Sequence, residues 1–247
     1  MNKTIIIGDI HGRDIWKQIV EKEQDATRIV FIGDYFDSFD EPGVVQLQNF
    51  LDIVEFKKTS TKEVVLLFGN HDYHYMPGYT LTGYSGYQPA MSWQFRDAID
   101  QNLQYLQMCY LFDNVLCSHA GVGMKWVEKH FENTLITNLE SVSMLVDSIN
   151  DHFKYKPNIF DFCGWDPYGD SVTQTPIWIR PASLNKVNKN TKLKELVVQV
   201  VGHTQQTNLN KSLMASEKTY GNKLFLCDCL HNKQYLIYTD HFEVGQL

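Results

Sequence analysis

The chain has 247 residues, of which 43% are hydrophobic and 21% are charged, a composition typical of globular domains rather than of disordered or collagen-like chains. Acidic residues outnumber basic ones by 29 to 22, and the resulting net charge of −7 disfavours binding to long nucleic acids or anionic membrane surfaces through charge alone. No apolar run approaches the roughly 18 residues of a membrane-spanning helix, and the first run ends at Gly8, too early for a signal peptide, so we expect a soluble protein without an export signal.

Short apolar runs alternate with helical patterns in the first third of the sequence. Residues 3–7, 28–32 and 64–68 are apolar runs closed by glycine, whereas residues 14–23 and 44–54 carry apolar side chains at helical spacing. An alternation of apolar strands and helices predicts a parallel sheet that is buried on both faces.

The remainder of the sequence is more varied. Residues 73–92, rich in glycine, proline and tyrosine, predict a long loop, and residues 157–181 predict a lid or insert. We predict helices over 93–106 and over most of 122–155. The predicted strands of this part are 115–117, 196–201 and a closing hairpin formed by 224–229 and 234–238.

Neither an internal repeat nor a long linker divides the sequence, so we expect one domain over residues 1–247. The predicted fold class is α/β, with mixed, mostly parallel sheets in a sandwich flanked by helices. Five cysteines without a C-x-x-C pair are typical of a reduced chain, so we expect a cytoplasmic location. We interpret Cys227 and Cys229 as small buried strand residues rather than as ligands of a soft metal.

Five apolar runs end in a Gly or Ser that is followed by residue types able to bind metal ions. They are Gly8-Asp9-Ile10-His11, Gly33-Asp34-Tyr35-Phe36-Asp37, Gly69-Asn70-His71-Asp72, Ser118-His119 and Gly202-His203. Ligand sites of open α/β sheets lie at the carboxyl ends of the strands, so these clusters should gather at one edge. A single cluster has an ordinary explanation, such as a helix cap or a buried histidine. Five together favour a metal site.

These motifs resemble those of the calcineurin-like metallophosphoesterases, whose pattern is D-x-H, G-D-x-x-D, G-N-H-[DE], a later His and G-H. The resemblance covers residues 8–204 and is nearest the branch of phosphoprotein phosphatases and symmetrical diadenosine tetraphosphatases. It implies that Asp34 bridges two metals. The other implied ligands are Asp9 and His11 for the first metal, and Asn70, His119 and His203 for the second. His71, oriented by Asp37, would be the acid that faces the leaving group.

The resemblance implies hydrolysis of a phosphate ester or phosphoanhydride by in-line attack of a metal-bridged hydroxide. Two cations about 3.5–4 Å apart stabilise both the attacking and the leaving oxygen and lower the pKa of bound water. Oxygen and nitrogen ligands without thiolate suit Mn, Fe or Zn better than Ca or Cu(I). We therefore expect two divalent ions, with Mn as the first choice and Fe or Zn as alternatives.

The sequence departs from the family pattern at three positions. Gln205 stands where the wider family carries the last His of G-H-x-H, which leaves the first metal three protein ligands and makes it the more easily lost ion. Ser38 and Phe68 stand where the nearest branch carries arginines that grip the phosphate, and bidentate arginine is the strongest such contact.

Candidate arginines elsewhere in the sequence are Arg180, in the predicted insert, followed by Arg13 and Arg96. The resemblance implies a phosphate-binding arginine in a late loop, which favours Arg180 as a catalytic residue. The alternative is a surface arginine packed on Trp178.

We expect a phosphatase of the phosphoprotein or dinucleoside tetraphosphate type, acting on a phosphorylated small molecule, nucleotide or phosphoprotein, with neither a membrane nor a long nucleic acid as partner. The alternative is a phosphodiesterase for nucleotides or nucleic acid. A non-catalytic module that senses phosphate or metal is a third hypothesis, disfavoured because every motif residue is present.

The tyrosine-rich loop 73–92 is interpreted as a lid packed by its own aromatics, with a base-stacking or peptide-binding surface as alternatives. His74 within it is expected to be incidental, with an outer-shell role as the alternative.

Overall fold

The computed structural model describes residues 2–77, 85–132, 134–161, 166 and 168–247. Within these ranges, the strands form a six-stranded and a four-stranded sheet. The strands are β1 (Thr4–Ile7), β2 (Arg28–Phe31), β3 (Glu63–Leu67), β4 (Leu106–Gln107), β5 (Cys109–Phe112), β6 (Val115–Ser118), β7 (Val198–Val201), β8 (Leu224–Leu226), β9 (Gln234–Tyr238) and β10 (Phe242–Gln246). The α-helices are α1 (Ile15–Lys22), α2 (Gly43–Thr59), α3 (Asn70–Tyr73), α4 (Ser92–Asn102), α5 (Met124–His130), α6 (Leu139–Tyr155), α7 (Pro181–Asn188), α8 (Lys192–Leu196) and α9 (Leu209–Ala215).

Both sheets are mixed and mostly parallel. The larger sheet has the order β10-β9-β1-β2-β3-β4, in which β1 to β4 are parallel, β9 is antiparallel to β1, and β10 is antiparallel to β9. The smaller sheet has the order β5-β6-β7-β8, in which β6 to β8 are parallel and β5 is antiparallel to β6. The predicted fold class is therefore confirmed.

The apolar sequence of β1 explains how the layers are built. Ile5 and Ile7 belong to the core cluster that contains Trp16 of α1. Ile6 belongs to a second cluster, which the two sheets share and which contains Val200 of β7. Successive side chains of a strand point to opposite faces, so a wholly apolar strand is buried on both of them. Each fully buried side chain of this size stabilises the fold by roughly 1.5–3 kcal/mol.

The predicted closing hairpin is wrong. β8 lies in the smaller sheet beside β7, whereas β9 lies in the larger sheet between β1 and β10. Residues 227–233, with a 3₁₀ turn at Leu230–Asn232, carry the chain from one sheet to the other. β9 forms its hairpin with β10, a strand that the sequence analysis omitted.

Smaller corrections concern element boundaries. The helix predicted over 93–106 ends at Asn102, because a 3₁₀ turn and strand β4 follow. The strand predicted over 196–201 begins at Val198, since Leu196 ends α8. Parts of the predicted loop 73–92 and insert 157–181, including Cys163, Tyr79 and Tyr84, lie outside the described residues. Across the described ranges, none of the helices combines the length and apolar character needed to span a membrane.

Candidate metal centre

One cavity of about 680 Å³ opens where β1, β2, β3 and β7 end. The predicted site residues that line it are Asp9, His11, Asp34, Asp37, Asn70, His71, Arg180 and His203. His119, which follows β6, is fully buried and reaches the same place, because its Nε2 lies 3.3 Å from Asp34 Oδ2. The structure therefore gathers all of the predicted strand-end residues at one edge.

Asp34 lies between two groups of side chains. On one side, the ligand atoms of Asp9, His11 and Asp34 all lie within 4.8 Å of one another. On the other side, Asn70 Oδ1 lies 2.9 Å from both His119 Nε2 and His203 Nδ1. The two groups correspond to the two ligand sets that the sequence resemblance implied, with Asp34 in the predicted central position.

Backbone carbonyls fix the three histidine rings of these groups. His11 Nδ1 donates to the Phe36 carbonyl at 2.7 Å, and His119 Nδ1 donates to the Ile32 carbonyl at 3.0 Å. His203 Nε2 donates to the Trp178 carbonyl at 3.1 Å. In a neutral imidazole the second nitrogen then carries a lone pair.

The lone pairs of His11 and His203 face oxygen atoms that are themselves acceptors, on Asp34 and Asn70. His119 instead lies 3.3 Å from Asp34 Oδ2, and this carboxylate outweighs burial and raises the pKa of the His119 ring. Acceptors that face one another in a buried place are unfavourable without a cation between them. Metal-binding histidines characteristically donate their other ring N–H to a carbonyl or carboxylate. The residues present therefore fit a site for divalent cations.

The backbone of the site is unusual. His11, Asp34, Asp37 and His203 have positive φ angles of 43°, 53°, 63° and 58°. Non-glycine residues seldom adopt this left-handed conformation, although Asp and His do so more readily than most, and such residues cluster at functional sites.

Two glycines let the backbone approach the central carboxylates. A Cβ on Gly69 would lie 2.1 Å from Asp34 Oδ1, and a Cβ on Gly202 would lie 2.0 Å from Asp9 Oδ1. A glycine at each of these strand ends thus leaves room for an aspartate from a different strand end.

Residues 3–206 match the family profile of the calcineurin-like phosphoesterases. The chain belongs to this family. It is therefore a hydrolase of phosphoesters that depends on divalent metal ions at a dinuclear site. The recognition made from the strand-end motifs is confirmed.

Solved structures similar to this phosphoesterase share its fold. A cold-active protein-tyrosine phosphatase of a psychrophilic Shewanella species is 18% identical, with a TM-score of 0.58, and the match covers 100% of this chain and 81% of that one. A protein serine/threonine phosphatase from Saccharomyces cerevisiae is 14% identical, with a TM-score of 0.54, and the match covers 100% and 80%. Among curated proteins, no match was found.

In this phosphoesterase, His71 and Asp37 form a hydrogen-bonded pair at the cavity wall. His71 Nδ1 lies 2.9 Å from Asp37 Oδ2. Burial lowers the pKa of His71, but the charge of Asp34 and the hydrogen bond to Asp37 outweigh burial and raise the pKa to about 9. The imidazole is thus held protonated at neutral pH, as a proton donor requires.

Asp37 has two further partners in the tyrosine-rich loop. Tyr75 donates its hydroxyl to Asp37 Oδ1 at 2.6 Å, and His74 Nε2 lies 2.6 Å from Asp37 Oδ2. The ligand atoms of Asp37, His71 and His74 also lie within 4.8 Å of one another, as in a cation site. Hydrogen bonds explain why these three side chains lie so close together, because a protonated His71 donates from Nδ1 to Asp37. The expectation that His74 is incidental is wrong. The alternative role fits, because His74 contacts Asp37, which in turn contacts His71.

The sequence analysis assigned no role to two acidic residues at the site, Asp72 and Asp228. Asp72 accepts hydrogen bonds from the backbone N–H groups of Asp34, Tyr35 and Gly69, at 2.9, 2.7 and 2.9 Å. It occupies the last position of the G-N-H-[DE] motif, so the sequence did carry a signal for it. Asp228 lines the cavity beside Asp9, two residues beyond the end of β8.

The arginine candidates differ in position. Arg180 lines the cavity and is fixed there, because Nε donates to the Tyr168 carbonyl at 2.9 Å and Nη1 donates to the His203 carbonyl at 2.8 Å. Arg13 also lines the cavity. Arg96 instead stacks its guanidinium over Trp93.

The two positions without the family arginine also differ. Ser38 lines the cavity, so an arginine there would reach it. Phe68 is fully buried in the core against Phe153, with the ring centroids 5.0 Å apart. The site therefore draws its arginines from other loops.

Proposed function

We propose that this chain is a phosphatase that hydrolyses a phosphate monoester or phosphoanhydride, of the phosphoprotein or dinucleoside tetraphosphate type, with two manganese ions. The observation that carries the proposal is the convergence of three carbonyl-anchored imidazoles on the oxygens of Asp34 and Asn70. Carboxylate and amide oxygens together with imidazole nitrogens, without a thiolate, suit Mn, Fe or Zn.

The proposed ligands follow the two groups around Asp34. Asp9, His11 and Asp34 would hold the first ion, and Asp34, Asn70, His119 and His203 would hold the second. When bound, two such ions supply a hydroxide nucleophile near neutral pH and neutralise the phosphoryl oxygens.

His71 is the proposed general acid. Its protonated ring would give a proton to the departing oxygen, a step that contributes roughly 10²–10⁴-fold in rate. Asp37 holds the ring in position through Nδ1, which leaves Nε2 for the leaving group. Tyr75 and His74 in turn fix Asp37.

Arg180 is the proposed phosphate-binding arginine. Two of its nitrogens are held by carbonyl groups, so the guanidinium is oriented before the substrate arrives. Nη2 takes no part in those bonds and is available to a phosphoryl oxygen. A fixed arginine favours a phosphate with several free oxygens, which supports a phosphomonoester over a phosphodiester.

The test compares four substrates with the manganese-loaded protein: an aryl phosphate, a bis-aryl phosphate, a phosphopeptide and a dinucleoside tetraphosphate. We expect kcat/KM for the aryl phosphate to exceed that for the bis-aryl phosphate, and one of the two larger substrates to exceed both. An Asp34→Asn variant is the control for contaminating phosphatases. A preference for the diester would replace this proposal with a phosphodiesterase, and an inactive protein with Mn, Fe and Zn would refute it.

The proposal includes a cytoplasmic location and a single domain over residues 1–247. In the described ranges, Cys109, Cys117, Cys227 and Cys229 are buried free thiols, which supports a reducing compartment.

A further inference from the structure

Asp228 occupies a strand-end position that no sequence motif identified. It follows β8, which runs parallel to β7, so it reaches the same edge of the fold as the predicted ligands. Its carbonyl accepts a hydrogen bond from Gln206 N at 2.7 Å. Its backbone also packs so closely against the loop after β1 that a Cβ on Gly8 would lie 2.8 Å from Asp228 Cα. The main chain therefore fixes the position of this carboxylate.

The side chain of Asp228 faces Asp9. Their carboxyl groups lie within hydrogen-bond reach of each other, and the two residues are only 8% and 2% exposed. Arg13, which pairs with Asp40 at 3.6 Å, also acts on the charge of Asp228, whereas Arg180 donates to the His203 carbonyl. Two buried carboxyl groups in contact repel each other when both are ionised, unless a proton or a cation lies between them.

We propose that Asp228 is a positioning residue of the first metal site and acts through Asp9. This inference rests on the proposed function, because it needs a cation at Asp9, His11 and Asp34. Contact with Asp228 would hold the Asp9 carboxylate in place, and the additional negative charge would strengthen attraction for the cation. Gln205, which also lines the cavity, contributes no charge there.

The charge of Asp228 predicts what its removal does. Asp228→Asn keeps the size and one oxygen acceptor but removes the charge. We expect one of the two Mn²⁺ ions to bind roughly 10–100-fold more weakly and the other to bind as in the wild type. A 10–100-fold loss is the usual effect of changing a group that supports a metal ligand. Titration of the full chain with Mn²⁺ alone, followed by the electron paramagnetic resonance signal of the free ion, measures both sites without using activity.

The matched control is Asp40→Asn. This residue lies at the rim of the same cavity, its side chain is 78% exposed, and it pairs with Arg13 rather than with Asp9. The variant loses the same charge, so unchanged Mn²⁺ binding would assign the effect to the contact with Asp9.

Thermal unfolding of the metal-free proteins distinguishes positioning from a purely structural role. Removing one of two repelling carboxylates should leave the metal-free Asp228→Asn protein at least as stable as the wild type, with a smaller rise in Tm on adding Mn²⁺. A variant that binds both ions like the wild type would overturn the inference, as would one that fails to fold without metal. A wild type that binds no Mn²⁺, Fe²⁺ or Zn²⁺ would instead refute the proposed function.

Discussion

Replacing Gly202 by alanine tests whether the backbone after β7 sets the position of Asp9. The new Cβ would lie 2.0 Å from Asp9 Oδ1 and 2.9 Å from Ile32 Cγ2. The closer atom is the end of a side chain, so we expect the fold to survive with Asp9 displaced by about 1 Å. Metal–ligand distances tolerate only about 0.2 Å, so the first ion should lose this ligand.

The same close contact sets the expected loss of folding stability. Overpacking of this kind costs roughly 1–3 kcal/mol, and 1 kcal/mol lowers Tm by about 2–4 °C for a chain of this size. We therefore expect the metal-free Gly202→Ala protein to melt about 2–12 °C below the wild type. Mn²⁺ binding at one site should weaken at least about tenfold, because losing a ligand should cost no less than losing a group that supports one.

The assay pairs Mn²⁺ titration with thermal unfolding of the metal-free protein. Gly221→Ala is the control, because Gly221 has a φ of 60° but no atom lies within 4 Å of its Cβ position. The control should lose a similar amount of stability, about 1–3 kcal/mol, because alanine there must adopt a left-handed backbone conformation, but it should bind both ions normally. If Gly202→Ala binds two Mn²⁺ ions with wild-type affinity, the reasoning about Asp9 is refuted.

Four further predictions concern the reaction and the metals. His71→Ala should lower kcat roughly 10²–10⁴-fold with two ions still bound, and a loss of metal instead would contradict its role as the acid. Tyr75→Phe removes one hydrogen bond to Asp37, and a charged bond contributes roughly 1.5–3 kcal/mol, so kcat should fall about 10–100-fold, whereas an unchanged kcat would show that this bond does not position His71. Arg180→Ala should weaken inhibition by inorganic phosphate about tenfold or more without changing Mn²⁺ binding, and unaltered inhibition would remove Arg180 from the site. Chelation should lower Tm, because a ligand at 100 times its Kd stabilises the folded state by about 2.7 kcal/mol per site, and equal melting with and without chelator would contradict tight binding.

The strand-end logic of the sequence succeeded where an apolar run is followed by one glycine and then by a polar residue. Asp9, Asp34, Asn70 and His203 all lie at such positions, and parallel strands bring these positions to one edge without any knowledge of side-chain contacts. The same logic applies to Asp228. It was missed because residues 224–229 were assigned to a hairpin, in which a residue at the strand end would have no special position.

The sequence pattern could not predict other parts of the site and of the fold. Tyr75 bonds to Asp37 across 38 positions of sequence, and it lies in a loop that has no periodicity to place its side chains. In the described part of that loop, Tyr75 stacks on Tyr87 with the ring centroids 5.2 Å apart, which agrees with the interpretation that its aromatics pack together. Strand β10 contains Gly245, which weakens the sequence signal of a strand.

The features that make this edge a binding site also oppose folding. Four residues there hold left-handed backbone conformations, at a cost of order 1–3 kcal/mol each, and the central carboxylates are buried without an arginine or lysine partner among the described residues. Asp72 offsets part of the cost, because its three hydrogen bonds from backbone N–H groups hold the turns after β2 and β3 together. With the proposed ligands, cation binding would offset more of the cost by neutralising Asp9 and Asp34. The backbone strain therefore results from placing several hydrogen-bond acceptors close together in one cavity. Because a bound cation would relieve the repulsion among these acceptors, metal affinity and the stability of the fold are linked.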